Sequence, residues 1–102
     1  MAAMTAPKPD GERPLFIYVM ERGFVLVGRP RPPGQNPLFV TLDDCATVRV
    51  WGTSKGLGQL ATEGPLAKTV TDPEPDGTEI KLTAIYRRIP CNARAWKSWP
   101  KG

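Results

Sequence analysis

The chain has 102 residues, 40% of them hydrophobic, with 12 prolines and 10 glycines, which predicts one small domain with a modest core and many turns. Histidine is absent, which removes the commonest general base and most transition-metal sites, so we expect no enzymatic activity, no metal and no cofactor. No apolar run is long enough to cross a bilayer, and the N-terminus lacks the pattern of a signal peptide, so we expect a soluble cytoplasmic protein without a membrane partner.

The formal net charge of +4 is unevenly distributed along the chain. Acidic and basic residues mix as far as Glu79, after which only bases follow. These bases are Lys81, Arg87, Arg88, Arg94, Lys97 and Lys101. A basic end favours a phosphate-bearing partner, although the same residues also suit a solvated rim that keeps the domain soluble.

The first part of the chain predicts an arm followed by a β-hairpin. Residues 1–14 have no periodicity and predict a flexible arm, ahead of one compact domain over residues 15–102. Two apolar runs, residues 15–20 and 24–28, flank a turn at Gly23 and predict two strands. Because both runs are apolar on both faces, we expect the hairpin at the centre of the sheet. The hairpin residues that we expect to be buried are Phe16, Val25 and Leu26.

A proline-rich segment separates the hairpin from the next predicted strands. Residues 29–37 are interrupted by prolines, which have no N–H for a strand, so they predict an extended loop. A polyproline ligand for another domain is the alternative interpretation. Residues 38–42 and 46–51 predict a third and a fourth strand, joined by a turn at Asp43 and Asp44.

Residues 52–56, which we call the central turn, lead from the fourth strand into a predicted helix. Gly52 breaks the strand, and Thr53 or Ser54 is of the type that caps a helix. Apolar residues at helical spacing then follow at Leu57, Leu60 and Ala61. Gly64 is a typical left-handed helix end, so the pattern predicts a short helix over residues 54–63.

The C-terminal half predicts further β-structure and a last helix. The predicted elements are a short edge strand over residues 66–70, a turn over 72–77, an alternating strand over 78–84 and its continuation past a bend over 85–89. Pro90 ends this strand, and Asn92 caps a short helix in which Trp96 and Trp99 lie on one face.

Together these elements predict a mainly β (α+β) domain. We expect a small curved sheet or barrel of about five to six strands, with one short central helix and a short C-terminal helix. A sheet of this size leaves exposed edges, so we also expect a homo-oligomer that forms through an edge such as residues 66–70.

The central turn is the candidate ligand site because small, hydroxyl and basic residues converge there. A helix N-terminus offers unpaired N–H groups to an anion, and glycines let a ligand approach the backbone. A tryptophan and an arginine on one strand face suit base stacking and phosphate pairing. The candidate ligand-binding residues are Arg49, Trp51, Gly52, Thr53, Ser54, Lys55, Gly56 and Arg87. The alternative is a capped helix on a glycine-rich turn, with Trp51 packed in the core.

Two cysteines, Cys45 and Cys91, lie far apart in sequence without metal-ligand spacing. We interpret them as ordinary, partly buried thiols rather than as a disulfide, because a cytoplasmic compartment is reducing.

Several segments carry a resemblance to known proteins. They are residues 23–29 (Gly-Phe-Val-Leu-Val-Gly-Arg), 48–51 (Val-Arg-Val-Trp), 56–64 (Gly-Leu-Gly-Gln-Leu-Ala-Thr-Glu-Gly), Lys68 and 89–91 (Ile-Pro-Cys). Over residues 15–96 the chain resembles a family of small bacteriophage-encoded proteins without assigned function. The resemblance implies a phage or prophage origin and a small β-rich fold, and it supplies no catalytic residues.

These observations favour a non-enzymatic binding protein of phage type in the host cytoplasm. It would sequester a small phosphorylated, nucleotide-type ligand and so counter host defence. A nucleic-acid-binding accessory protein is one alternative, and a virion or assembly component without a small ligand is another.

Overall fold

The structure is a computed structural model that describes residues 13–34 and 36–100. Over this part of the chain, six antiparallel strands form one sheet, and one α-helix accompanies them. The prediction of a mainly β domain with about six strands and a short central helix is therefore confirmed. The sheet is open and uncurled rather than closed into a barrel. All but the last two residues of the predicted arm, residues 1–14, lie outside the described residues.

The strands and the helix follow one another with short connections. They are β1 (Phe16–Met20), β2 (Val25–Pro30), β3 (Phe39–Val50), α1 (Leu57–Glu63), β4 (Val70–Pro73), β5 (Thr78–Lys81) and β6 (Ile85–Pro90). The order across the sheet is β4-β3-β2-β1-β6, and β5 pairs with the first half of β3. One edge of the sheet is thus formed by β4 and β5, and the other by β6. Self-association through an edge stays a prediction.

The hairpin of β1 and β2 occupies the interior of the sheet, as its sequence predicted. Each of its strands pairs on both sides, β1 with β6 and β2 with β3. Its turn needs positive φ angles at Arg22 (66°) and Gly23 (81°), and a glycine adopts this conformation without strain. Val25 is buried, but Phe16 and Leu26 are only partly buried, because both lie on the less completely covered face of the sheet.

The prediction of two strands joined by a turn at Asp43 and Asp44 is wrong. Residues 39–50 form the single strand β3, and Asp44 is accommodated as a bulge with a φ of 51°. The register against β2 shifts at this point, between Val27 and Arg29. A bulge lets a strand bend without ending it, and the two aspartates are stabilised there by arginines rather than by turn geometry.

The helix begins three residues later than predicted, and neither Thr53 nor Ser54 caps it. Gly56, with a φ of 88°, lies outside the right-handed helical region and precedes the first helical residue, Leu57. The Thr53 hydroxyl donates to the Gly56 carbonyl at 2.9 Å, whereas a capping hydroxyl would accept from an N–H group. The predicted C-terminal end is confirmed, because the N–H of Gly64 (φ 86°) donates to the Leu60 carbonyl at 2.9 Å. The predicted apolar face is confirmed at Leu57, Leu60 and Ala61, which are buried.

The predicted edge strand over residues 66–70 is displaced toward the C-terminus. The Thr69 N–H donates to the Leu66 carbonyl at 3.0 Å, and the Leu66 N–H donates to the Thr69 hydroxyl at 2.9 Å. These bonds close a turn, so β4 starts only at Val70.

A bend at Leu82–Ala84 separates β5 from β6. Before the bend the chain pairs with β3, and after it the chain pairs with β1.

The C-terminal segment forms consecutive turns instead of the predicted short helix. The Asn92 side chain accepts from the Ala95 N–H at 2.9 Å, so it caps the first of these turns. Trp96 and Trp99 are both buried, and their rings meet edge to face at 5.4 Å. The Trp96 indole donates to the carbonyls of Leu60 and Ala61, which fastens the segment to α1. The two tryptophans therefore anchor the C-terminal segment.

Both faces of the sheet carry an apolar cluster. The first cluster lies under α1 and the C-terminal turns, and comprises Leu15, Ile17, Val25, Val27, Ala46, Val48, Leu57, Leu60, Ala61, Trp96 and Trp99. The second lies beneath β5 and the bend, and comprises Tyr18, Met20, Leu42, Cys45 and Ile80. The alternation of β1 accounts for this division, because odd-numbered residues reach one face and even-numbered residues the other.

A buried ionic network fixes the bulge to the two ends of the described chain. The Arg29 side chain is 3% exposed and donates to the Asp44 carboxylate and to the carbonyls of Arg13 and Trp99. Asp43 accepts from both Arg13 and Arg31, and these bonds hold its pKa well below the usual range of a carboxyl group. The charges that seemed in sequence to mark a turn therefore hold distant segments together.

Candidate functional site

The structure places seven of the eight predicted site residues in and beside the central turn. Trp51 and residues 52–56 form a continuous loop between β3 and α1, and Arg49 lies near the end of β3. Trp51 is 43% exposed, and its Cζ3 atom lies 4.0 Å from the position that a Cβ on Gly56 would take. Trp51 thus lies beside the turn and is accessible, instead of being packed in the core.

Several polar groups of the central turn are bonded within the protein. Gln59 extends its side-chain oxygen toward the turn, where it accepts from the Lys55 N–H at 2.7 Å and from the Ser54 hydroxyl at 3.4 Å. The Thr53 hydroxyl is engaged with Gly56. These contacts leave fewer backbone and hydroxyl donors for an anion than the sequence suggests, while the Lys55 side chain remains exposed.

Arg49 forms an ion pair on the surface. Its guanidinium donates to the Asp72 carboxylate at 2.8 and 3.3 Å, and this partner raises the pKa of Arg49 further. The pair joins neighbouring strands β3 and β4. The positive charge of Arg49 is therefore balanced by a carboxylate of the same protein.

The missing side chain of Gly52 allows another backbone segment to approach closely, and it does not open space for a ligand. Its φ is 71°, and a Cβ at this position would lie 2.4 Å from the Lys68 carbonyl carbon and 2.4 Å from the Thr69 nitrogen. The space that the missing side chain opens is filled by residues 68 and 69, which close the loop against β4.

Arg87 is not brought to the central turn. It lies on β6, separated from β3 by β2 and β1. Three strand spacings amount to about 14 Å, and Arg87 pairs in register with Val19 of β1. The structure therefore separates Arg87, on edge strand β6, from the other predicted site residues, which lie at and after the end of β3.

A cavity of about 700 Å³ lies elsewhere, between the proline-rich loop and the chain around the β5–β6 bend. Its apolar walls include prolines of the loop together with Phe39 and Leu82, which are 37% and 51% exposed. Its polar groups include Arg31, Glu79 and Arg88. The cavity combines flat apolar surfaces with groups of both charges, a composition typical of small-molecule sites.

Arg31 and Arg88 line the same cavity but differ in their partners. Arg31 donates to both oxygens of Asp43, at 2.7 and 2.8 Å, so its guanidinium is paired with a carboxylate, which it shares with Arg13. Arg88 is exposed, and within the described residues it forms no ion pair. Its guanidinium carbon lies 4.2 Å from the centre of the Phe16 ring, a cation–π contact that still leaves its N–H groups to donate.

Tyr18 on β1 lies next to Arg88, one of the residues that line the cavity. The two residues are register partners on β1 and β6. Tyr18 is 1% exposed, so its hydroxyl is shielded from water. Burial raises the pKa of Tyr18, and the nearby Arg88 guanidinium opposes that rise, so the hydroxyl stays protonated at neutral pH.

Sequence reasoning therefore missed most of the residues around this cavity. The sequence predicts Arg87 as the site residue of β6, whereas the cavity is lined by its neighbour Arg88. Phe39 and Leu82 look like ordinary strand residues in sequence.

The cysteines are placed on opposite faces, Cys45 in the second apolar cluster and Cys91 against the first. Both are free thiols, and burial raises the pKa of each to about 12. Across residues 13–34 and 36–100, no group of three or more potential metal ligands is present. No helix in the same residues has the length and hydropathy that a membrane span requires.

Comparison with known proteins gave no match to a family model, to a curated protein or to a solved structure.

Proposed function

We propose that this chain is a non-enzymatic, phage-like protein that sequesters a small phosphorylated ligand of the nucleotide type and so counters host defence. The cavity of about 700 Å³ beside Arg88 carries the proposal. Its volume lies within the range of roughly 300–1,000 Å³ that small-molecule sites occupy. The phage origin rests on the sequence resemblance described above.

The chemistry of the cavity suits the two parts of a nucleotide. The Arg88 guanidinium is a planar fork of donors that matches phosphate oxygens, and no carboxylate neutralises it within the described residues. Phe39 and the loop prolines offer flat apolar surfaces to a base. Glu79 adds an acceptor for the amino groups of a base. The site is thereby moved from the central turn to this cavity.

The first experiment asks whether a ligand is present and where it binds. We expect protein purified from cells to release a small molecule absorbing at 260 nm on heating. Titration calorimetry with the four ribonucleoside 5′-monophosphates then identifies the strongest binder. Substitution Arg88→Ala should weaken that binding by about tenfold or more, the loss expected when a hydrogen bond to a charged group is removed.

Lys55→Ala is the matched control for Arg88→Ala. It also removes an exposed cation that forms no ion pair within the described residues, but at the central turn. Unchanged binding in Lys55→Ala places the site at the cavity. The reverse result, loss in Lys55→Ala and none in Arg88→Ala, would return the site to the turn. No binding of any monophosphate by the unchanged protein would reject the nucleotide proposal.

A nucleic-acid-binding role is a second candidate, supported by the exposure of three consecutive residues on edge strand β6. Tyr86 is 71% exposed, and Arg87 and Arg88 are exposed beside it. In proteins that bind single-stranded nucleic acid, an aromatic side chain stacks on the bases and neighbouring basic side chains contact the phosphates. This role predicts binding of a single-stranded oligonucleotide that weakens steeply with salt and with Arg87→Ala. Small-ligand binding in the cavity predicts no effect of Arg87→Ala on monophosphate affinity.

A further inference from the structure

Glu79 is the acidic residue among the described residues that line the cavity. It is exposed, and its carboxylate forms no ion pair within residues 13–34 and 36–100, although Lys81 follows two positions later on β5. Asp43 and Asp72 differ in this respect, because arginines of the same chain donate to both of them. The Glu79 carboxylate is therefore open to a ligand in the cavity.

The pairing of β3 with β5 places this carboxylate next to an aromatic ring. Glu79 is the register partner of Thr41, and Phe39 is the register partner of Lys81. Because side chains alternate along a strand, Phe39 and Glu79 lie on the same face of the two strands, and they are diagonal neighbours. Such neighbours are about 7–8 Å apart, which is within reach of aromatic and long side chains. A base that stacks on Phe39 can thus bring its edge to Glu79.

A carboxylate at the edge of a base favours one base over the others. An ionised carboxylate offers two acceptor oxygens and no donor. Guanine presents two adjacent donors, the N1–H and the 2-amino group, which match the two oxygens. Adenine and cytosine place a ring-nitrogen acceptor beside the amino group, and uracil flanks its single N–H with two carbonyl oxygens. These acceptors would face the carboxylate unpaired, which costs binding free energy.

Building on the proposed function, we propose that Glu79 is the specificity-determining residue of the cavity and selects a guanine nucleotide. The N1–H and the 2-amino group of the base donate to its carboxylate while the ring stacks on Phe39. The phosphate binds at Arg88, which lines the same cavity. The two opposite charges also orient the ligand, because the Glu79 carboxylate repels the phosphate that the Arg88 guanidinium attracts.

Titration calorimetry with guanosine and inosine 5′-monophosphates tests this assignment, because the two nucleotides differ only in the 2-amino group. We expect the guanine nucleotide to bind about tenfold or more tightly, as for a hydrogen bond to a charged group. In Glu79→Gln the side chain presents one acceptor and one donor, so this ratio should fall toward one. Adenosine 5′-monophosphate should then bind more tightly than it does to the unchanged protein, since an amide matches the donor and acceptor of adenine.

Glu21→Gln is the matched control, because it makes the same chemical change at an exposed carboxylate in the β1–β2 turn, outside this cavity. It should leave all three affinities unchanged, and both variants should keep the thermal midpoint of the unchanged protein. The ratio of two affinities does not depend on the folded fraction of a variant.

The outcomes separate this assignment from the proposed function. If Arg88→Ala weakens monophosphate binding but the unchanged protein does not prefer guanine, Glu79 does not select the base and the proposed function stands. The same conclusion follows if the guanine preference persists in Glu79→Gln, or if that variant weakens all three nucleotides equally. If the unchanged protein binds none of the nucleotides, both proposals are rejected.

Discussion

The central turn and the cavity both place aromatic and basic side chains together, yet they differ in what those side chains contact. Beside the turn, Arg49 is paired with Asp72. Within it, backbone atoms of residues 68 and 69 fill the space next to Gly52, and the Gln59 side chain accepts the hydrogen bond from the Lys55 N–H. At the cavity, the Arg88 guanidinium lies over the Phe16 ring and forms no ion pair within the described residues. The comparison therefore concerns the two arginines, because Arg49 has a carboxylate partner whereas Arg88, like Lys55 of the turn, forms no ion pair within the described residues.

The largest expected effect concerns the structural role of the turn. Gly52→Ala should destabilise the fold by about 3 kcal/mol, because it combines a positive φ with a Cβ placed 2.4 Å from backbone atoms of residues 68 and 69. Urea denaturation of the variant measures the loss. Gly58→Ala is its control, since nothing lies within 4 Å of the new Cβ and alanine favours a helix, so stability should rise by about 0.5–1 kcal/mol. A tolerated Gly52→Ala would mean that the turn has room for a ligand after all.

A second, smaller effect should follow from the ionic network that holds the wall of the cavity. The arginines around Asp43 lower its pKa, so this carboxylate contributes stability above the pKa of the unfolded chain, about 4. That contribution is lost as pH falls from about 4 through the lower pKa of the folded state. Asp43→Asn should reduce the free energy of unfolding at pH 7 by about 2 kcal/mol, a value discounted because Arg31 is half-exposed. Below pH 4 the difference in stability between the variant and the unchanged protein should become smaller. Thermal melting of both proteins over a series of acid pH values measures this difference. If the two thermal midpoints do not approach each other as the pH falls, the Asp43 carboxylate does not make this contribution.

The smallest effect is expected at the ion pair of the predicted site. Both Arg49 and Asp72 are largely exposed, so water and salt screen their attraction. Arg49→Ala should leave the thermal midpoint nearly unchanged and should not alter monophosphate binding. Calorimetry on Arg49→Ala beside Arg88→Ala sharpens the comparison, because the two variants remove the same charge from a balanced and from an unbalanced position. A loss of affinity in Arg49→Ala equal to that in Arg88→Ala would remove the distinction between the two regions.

The amino-acid sequence by itself determined the elements whose signals are local. Alternation and apolar runs predicted the β1–β2 hairpin, and helical spacing together with Gly64 predicted α1 and its end. The mainly β class followed from the short spacing of these strands. Such features depend on residues a few positions apart, whose conformational preferences act wherever the chain lies.

Only the tertiary structure decided which polar groups have partners within the protein and which do not. Asp43 and Asp44 read as a turn, because their arginine partners lie 12 to 30 residues away in sequence. Arg49 and Arg88 look alike as single letters, and only the pairing of β3 with β4 gives one of them a carboxylate. The Tyr18 hydroxyl likewise lost its access to water only when β5 and the bend covered the second face. The energy of a charge or a hydroxyl depends on burial and on partners, and both are set by contacts that local sequence does not contain.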